Sequence, residues 1–255
     1  MIEKILDYEV DSRNVSECAD SIMITLALGD RSCSWLACLN PHTYVVALND
    51  SSFASALHSA NWLVPDGVGV VWASSVLGGH VRERVTGSDV FSALHQRMNA
   101  TGGLSVFFLG ASEKTLAQIR SCMALDFPHI RVAGTYSPPF KSTYSEQELD
   151  EMISAVNETR PDVLWVGMTA PKQEKWIFEN RSRLDVCFAA AVGAVFDFYT
   201  GNVKRSHPVF QRLGLEWLPR LLQEPRRLWR RMFVSAPIFV MHVMRERWRQ
   251  RKIGS

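Results

Sequence analysis

The feature that most constrains this chain is an alternation. Short apolar runs at residues 22–28 (IMITLAL), 35–39 (WLACL), 104–109 (LSVFFL), 163–167 (VLWVG) and 186–192 (VCFAAAV) are interleaved with stretches of helical periodicity near 41–59, 66–77, 88–100, 112–125, 145–159 and 171–182. Runs of that length bounded by Gly, Pro or Asn predict buried strands. Strand and helix in turn predict an α/β layer fold with a largely parallel sheet, although the order of the strands is not written in the sequence. With 255 residues there is room for one medium domain, or one domain and a small appendage. The 47% hydrophobic content excludes a disordered chain.

Several helix starts are signposted. Asn40 before Pro41 predicts an N-cap with proline at the first helical position, and Pro171 opens a helix carrying Lys172, Gln173 and Glu174. Ligands of open α/β sheets gather where strands end and helices begin, and Asn40, Asp66, Gly110 and Gln173 all fall near such junctions. The βα rhythm stops near Gly201, where basic helical stretches broken by Pro208, Pro219, Pro225 and Pro237 begin. This divides the chain into an α/β body, 1–203, and a helical appendage, 204–255.

The near-neutral total, 28 Lys and Arg against 26 Asp and Glu, hides that division. Residues 201–255 carry 13 basic against 3 acidic side chains, and residues 1–200 carry 15 against 23. The tail also holds Trp217, Trp229 and Trp248. Basic, aromatic and amphipathic together suit a membrane surface; helices that simply cap the body, with solvated arginines, suit the same composition. The longest nearly uncharged run, 232–244, has 13 residues and contains Pro237 and His242, whereas a spanning helix needs about 20 apolar residues. No nucleic-acid recognition motif is present, so nucleic acid is not an expected partner.

Candidate chemistry sits at the junctions. Asp66, between a short apolar run and a glycine-punctuated helix, suits a general base for a substrate hydroxyl, and equally a turn or cap residue. Thr86-x-x-Asp89 reads as a capping box with Asp for the usual Glu. That helix start can also receive a phosphate, with Arg84 adding fixed charge. Gln173 can hydrogen-bond a sugar or diphosphate, the alternative being a solvated first turn with Glu174 near the positive helix end. Asp197 can accept from a nucleobase or ribose, or be a buried turn aspartate.

Other chemistries lack their residues. No two aspartates lie two residues apart, so no D-x-D is available for a metal-bound diphosphate, and no H-x-x-x-H, H-E-x-x-H, P-loop or G-x-S-x-G is present. No metal and no cofactor are expected, which leaves arginines and helix N-termini to stabilise any diphosphate leaving group. Five cysteines without a CxxC pair suggest a reducing compartment. The acidic N-terminus MIEKILDYEVD lacks the pattern of a secretory signal, which points to the cytoplasm.

Taken together, LNPHTYVVAL, NWLVPDGVGVVWA, ERVTGSD, FFLGAS, PDVLWVGMTAPKQEKW, AVGAVFDFYTGNVKRSHP and LGLEWLPRLLQEPRRL resemble, in their order, the WecG/TagA/CpsF family of bacterial glycosyltransferases. The resemblance runs from about Trp35 to Arg230. It implies a Rossmann-like body with a C-terminal appendage that associates with the inner face of the cytoplasmic membrane and helps complete the site. It also implies inverting, metal-independent transfer from a UDP-sugar to a polyprenyl-diphosphate-linked glycan. By motif, Asp66 corresponds to the family's proposed base, and Asn40, Arg84 and Gln173 to its pocket. Asp197 and Lys204 correspond to nucleotide-contacting positions, Phe140 to a residue that packs near the nucleobase, and Arg220, Arg227 and Arg230 to appendage arginines that reach the diphosphate. Where the family commonly has Thr, this chain has Cys38, a weaker donor. The rival functions are a nucleotide-sugar hydrolase or epimerase and a silent scaffold of a polysaccharide assembly complex. Apolar surface in the tail has three candidate partners: the body, a second subunit and lipid.

Overall fold

The computed structural model describes residues 2–203 and 229–253. A hairpin of β1 (Ile2–Ile5) and β2 (Tyr8–Asp11) leads into α1 (Val15–Leu28). The run at 22–28, expected as a strand, is therefore the second half of a helix. Asn14 and Glu17 form a reciprocal capping box and Gly29 closes the far end at φ 67°. Between the caps Cys18, Ala19, Ile22 and Leu26 are buried at helical spacing, while Ile24 and Leu28 face solvent.

Next come β3 (Ser32–Leu39), α2 (Pro41–Ala47), α3 (Ser51–Ser59), β4 (Trp62–Pro65), α4 (Val68–Leu77) and α5 (Gly87–Thr101). The single helix expected over 41–59 is divided because Asp50 caps a second one, its Oδ1 accepting from the Phe53 amide at 3.0 Å. The chain continues through β5 (Ser105–Gly110), α6 (Glu113–Asp126), β6 (Arg131–Tyr136), α7 (Glu146–Asn157), β7 (Val163–Gly167), α8 (Lys172–Asn180), β8 (Val186–Ala191) and α9 (Val195–Tyr199). After residue 228 a π-helical turn, Arg230–Ser235, runs into α10 (Ala236–Ile253). The hairpin and the edge strand β6 had no counterpart among the apolar runs; β6 is half-buried and carries Gly134 and Thr135, which weaken its apolar signal.

Six strands form one parallel sheet in the order β4-β3-β8-β7-β5-β6. Its central strands are covered on both faces. Trp35, Ala37 and Leu39 of β3 enter one apolar cluster with α2, α3 and α8, and Leu36 enters the other with α1, α5 and α6. Gly110, at φ 112°, ends β5 where a Cβ would lie 2.4 Å from the Gly167 carbonyl oxygen. That glycine answers a close strand approach.

The tail's last helix belongs to the first of these cores. Phe239 and Val243 of α10 are 1% and 0% exposed and pack with Tyr44. Each such burial is worth about 1.5–3 kcal/mol. Polar contacts fix the docking: Ser235 Oγ lies 2.9 Å from His42 Nδ1, and Tyr44 Oη 2.8 Å from His242 Nδ1. The opposite face leaves Val240, Met241, Met244 and Trp248 exposed, with Trp229 and Phe233 beside them. The capping reading thus holds for one face of this helix, and its other face is exposed. Among the described residues no helix is long and apolar enough to cross a membrane.

Candidate active site

The β3–β4 register aligns Leu39 with Pro65, so the next residue on each strand, Asn40 and Asp66, emerge side by side at the carboxyl edge. The Asp66 amide donates to the Leu39 carbonyl at 2.8 Å, extending the ladder by one bond. Asn40 serves two elements at once. Its Oδ1 accepts from the His42 and Thr43 amides at 3.0 Å each, capping α2, and this orients its Nδ2 to donate to Asp66 Oδ2 at 3.2 Å.

The segment before α5 passes the same edge. The Val85 amide donates to the Pro65 carbonyl at 2.9 Å, which brings Arg84 and Thr86 alongside Asp66. Thr86 and Asp89 form the expected capping box: Thr86 Oγ1 donates to Asp89 Oδ2 at 2.7 Å and accepts from the Asp89 amide at 3.2 Å. At the head of α5 the Gly87 amide is directed at Cys38 Sγ. Burial lifts the half-buried Asp66 above the usual carboxylate range. The Asn40 hydrogen bond and the charges of Arg231 and Arg84 oppose that rise, while Asp89 adds to it.

Arg231 was not anticipated. Arg230, which the resemblance assigns to the diphosphate, is exposed, and the charge of its half-buried neighbour Arg231 acts on Asp66. The π-helical turn sets which residue faces inward, and such turns have no clear sequence signature. Replacing Arg231 with Gln is expected to raise the Asp66 pKa, and replacing Arg230 with Gln to leave it unchanged. Carboxyl carbon-13 NMR titration of Asp66 checks both; equal shifts in the two variants contradict this geometry.

On the other flank Gln173 and Glu174 are 4% and 2% exposed, which rules out the alternative of a solvated first turn. Gln173 Oε1 accepts from the Met168 amide at 3.2 Å and the Gly193 amide at 2.9 Å, joining the loops after β7 and β8. Its Nε2 donates to Glu174 Oε1 at 2.9 Å. Burial pushes Glu174 up to about 7, against the Gln173 bond and its own backbone N–H. Cys38 lies between the two carboxyls. Burial and the charges of Asp66 and Glu174 hold its thiol far above the ordinary range, so it stays protonated.

The remaining expected positions are spread. Asp197 is half-buried in the first turn of α9, and its carbonyl accepts from the Val203 amide at 3.1 Å. Phe140 lies in the β6–α7 loop and is fully exposed among the described residues. Lys204, Arg220 and Arg227 lie outside the described residues. Among the described residues no three His, Cys, Asp or Glu side chains gather as a metal site.

A family model described as Glycosyl transferase WecG/TagA/CpsF family matches residues 3–253. The chain belongs to this family. Relatives within it include the N-acetylglucosaminyldiphosphoundecaprenol N-acetyl-beta-D-mannosaminyltransferase of Bacillus spizizenii, 33% identical over 87% of this chain and 82% of its own length. The enzyme of the same name from Bacillus subtilis is 31% identical over 83% of this chain and 79% of its own. That from Staphylococcus aureus strain MW2 is 24% identical over 97% and 94%. These WecG/TagA/CpsF relatives are, by name, glycosyltransferases acting on a polyprenyl-diphosphate-linked sugar.

Proposed function

We propose that this chain is an inverting, metal-independent glycosyltransferase that moves a hexose or N-acetylhexosamine from a UDP-sugar to a polyprenyl-diphosphate-linked glycan, in cell-surface or exopolysaccharide synthesis. The supporting observation is the pair formed by Asp66 and Asn40 at the sheet's carboxyl edge, with Arg84 and Arg231 acting on the same carboxylate. Asn40 holds Asp66 in one orientation, so its oxygen is aimed before substrate arrives. Asp66 takes the proton from an acceptor-sugar hydroxyl as that oxygen bonds to the donor's anomeric carbon; the bond to UDP breaks on the opposite face and its electron pair leaves with the diphosphate. Arg84 and the tail arginines stabilise that departing charge, and the configuration inverts.

The tail completes the site at the cytoplasmic face of the membrane. Docking of α10 on α2 and α4 brings Arg231 to Asp66 and leaves its exposed apolar face and the arginines beyond it for an anionic lipid surface. Sugar transfer from a panel of UDP-sugars to N-acetylglucosaminyldiphosphoundecaprenol, in excess chelator, tests the reading. UDP-N-acetylmannosamine is the first donor to try, since N-acetylmannosamine is the sugar named for the relatives. Transfer with inverted configuration, insensitive to chelator, supports the proposal; donor hydrolysis without transfer, or UDP binding without turnover for any donor and acceptor, overturns it in favour of a hydrolase or a scaffold.

A further inference from the structure

The carboxyl of Glu174 is the least explained polar group near this site. It is buried, and among the described residues its Oε2 has no hydrogen-bond partner, a condition few buried polar atoms in folded proteins tolerate. Its other oxygen has a defined task. A Gln amide has nearly the same shape in both orientations, and only one of them presents an oxygen to the Met168 and Gly193 amides. Glu174 Oε1, accepting from Nε2, selects that orientation. A flipped amide would set NH₂ against two backbone N–H groups and open the two loops that end β7 and β8.

We propose that Glu174 is a positioning residue for transfer: it fixes the Gln173 amide and, through it, the two loops that border Cys38 on the side away from Asp66. The proposal rests on the transfer reading, in that those loops form the sheet's carboxyl edge beside the base. Packing alone does not account for a carboxyl here, because an apolar side chain of similar size would leave no orphaned oxygen. The titratable groups on the elements packed against α8 are Asp50 and His58 of α3, Arg181 and Arg183 of the following turn, and Cys187 of β8. Asp50 pairs with Lys175 of α8 itself, and the other four have partners on other elements. Cys38 of β3 is the thiol that feels Glu174 directly.

Two variants of the full chain test this. In Glu174→Leu the acceptor for Gln173 is gone: amide exchange at Met168 and Gly193 is expected to quicken at least about tenfold, and kcat/KM for transfer to fall at least about tenfold, with Tm unchanged or raised. Glu174→Gln keeps a carbonyl for Gln173 and is expected to retain slow exchange and most turnover. It should also gain stability relative to the native chain as pH rises from 4.5 to about 7. A carboxyl whose folded pKa is raised loses stability over that window and an amide does not. Native exchange and turnover in Glu174→Leu, a Tm loss that tracks its turnover loss, or equal damage in both variants overturns the proposal. Should the native chain transfer no sugar at all, the transfer reading fails, and the exchange measurements still decide whether Glu174 holds the loops.

Discussion

Asp66→Asn removes sugar transfer, by about 10²–10⁴-fold in turnover, while the chain folds as before. Asparagine has the volume of aspartate and keeps an oxygen to accept from Asn40 Nδ2, so the junction between β3, α2 and β4 loses no hydrogen bond. What it lacks is a site for the acceptor's proton. The native carboxylate is suited to that task because burial raises its proton affinity, whereas Asn40, Arg231 and Arg84 keep that rise in check. Steady-state transfer assays with circular dichroism on the same preparations give the result directly. Full turnover in a folded Asp66→Asn chain eliminates this residue as the base.

Deletion of residues 204–255 is expected to remove both vesicle binding and most turnover. Three contacts leave together: the apolar seat of Phe239 and Val243 on Tyr44, the polar partners of His42 and Tyr44, and the Arg231 charge on Asp66. The 13 basic residues that begin after Gly201 leave too, and each near an anionic surface is worth about 1 kcal/mol. A body destabilised by its uncovered core would show the same losses, so point variants separate the causes. Met244→Ser with Trp248→Ser alters only exposed side chains and is expected to weaken binding to phosphatidylglycerol vesicles while α10 stays docked. Arg231→Gln is expected to lower turnover and leave vesicle binding nearly intact. Turnover and binding that fall in proportion in both variants would refute a division of labour between the two faces.

His95 shows how a titratable side chain can stand in this fold without a role in the chemistry. It is fully buried among Phe91, Phe108, Phe127 and Trp165, accepts from Trp165 Nε1 at 3.1 Å, and burial lowers its pKa to about 3. It stays neutral and holds an indole. Glu174 is buried as deeply, but at the carboxyl edge between two loops. Position separates the two, and position comes from the sheet.

Local sequence determined a good deal here. The strands at 35–39, 104–109, 163–167 and 186–192 were legible because burial on both faces gives a continuous apolar run, and the starts of α2 and α5 because caps are encoded within four residues; Pro171 marked the start of α8. The run IMITLAL misled because a short apolar run has no decisive period; the Asn14, Glu17 and Gly29 caps that settle it lie outside the run. The ordered motifs also brought Asp66, Asn40, Arg84 and Gln173 forward as a group. Only the tertiary structure decided the strand order that sets Asn40 beside Asp66, the burial of Glu174, and the approach of Arg231 to Asp66. Each of these depends on which element stacks on which, and in what register, across separations of tens to hundreds of residues. A pattern read within one helix or strand carries no term for that distance.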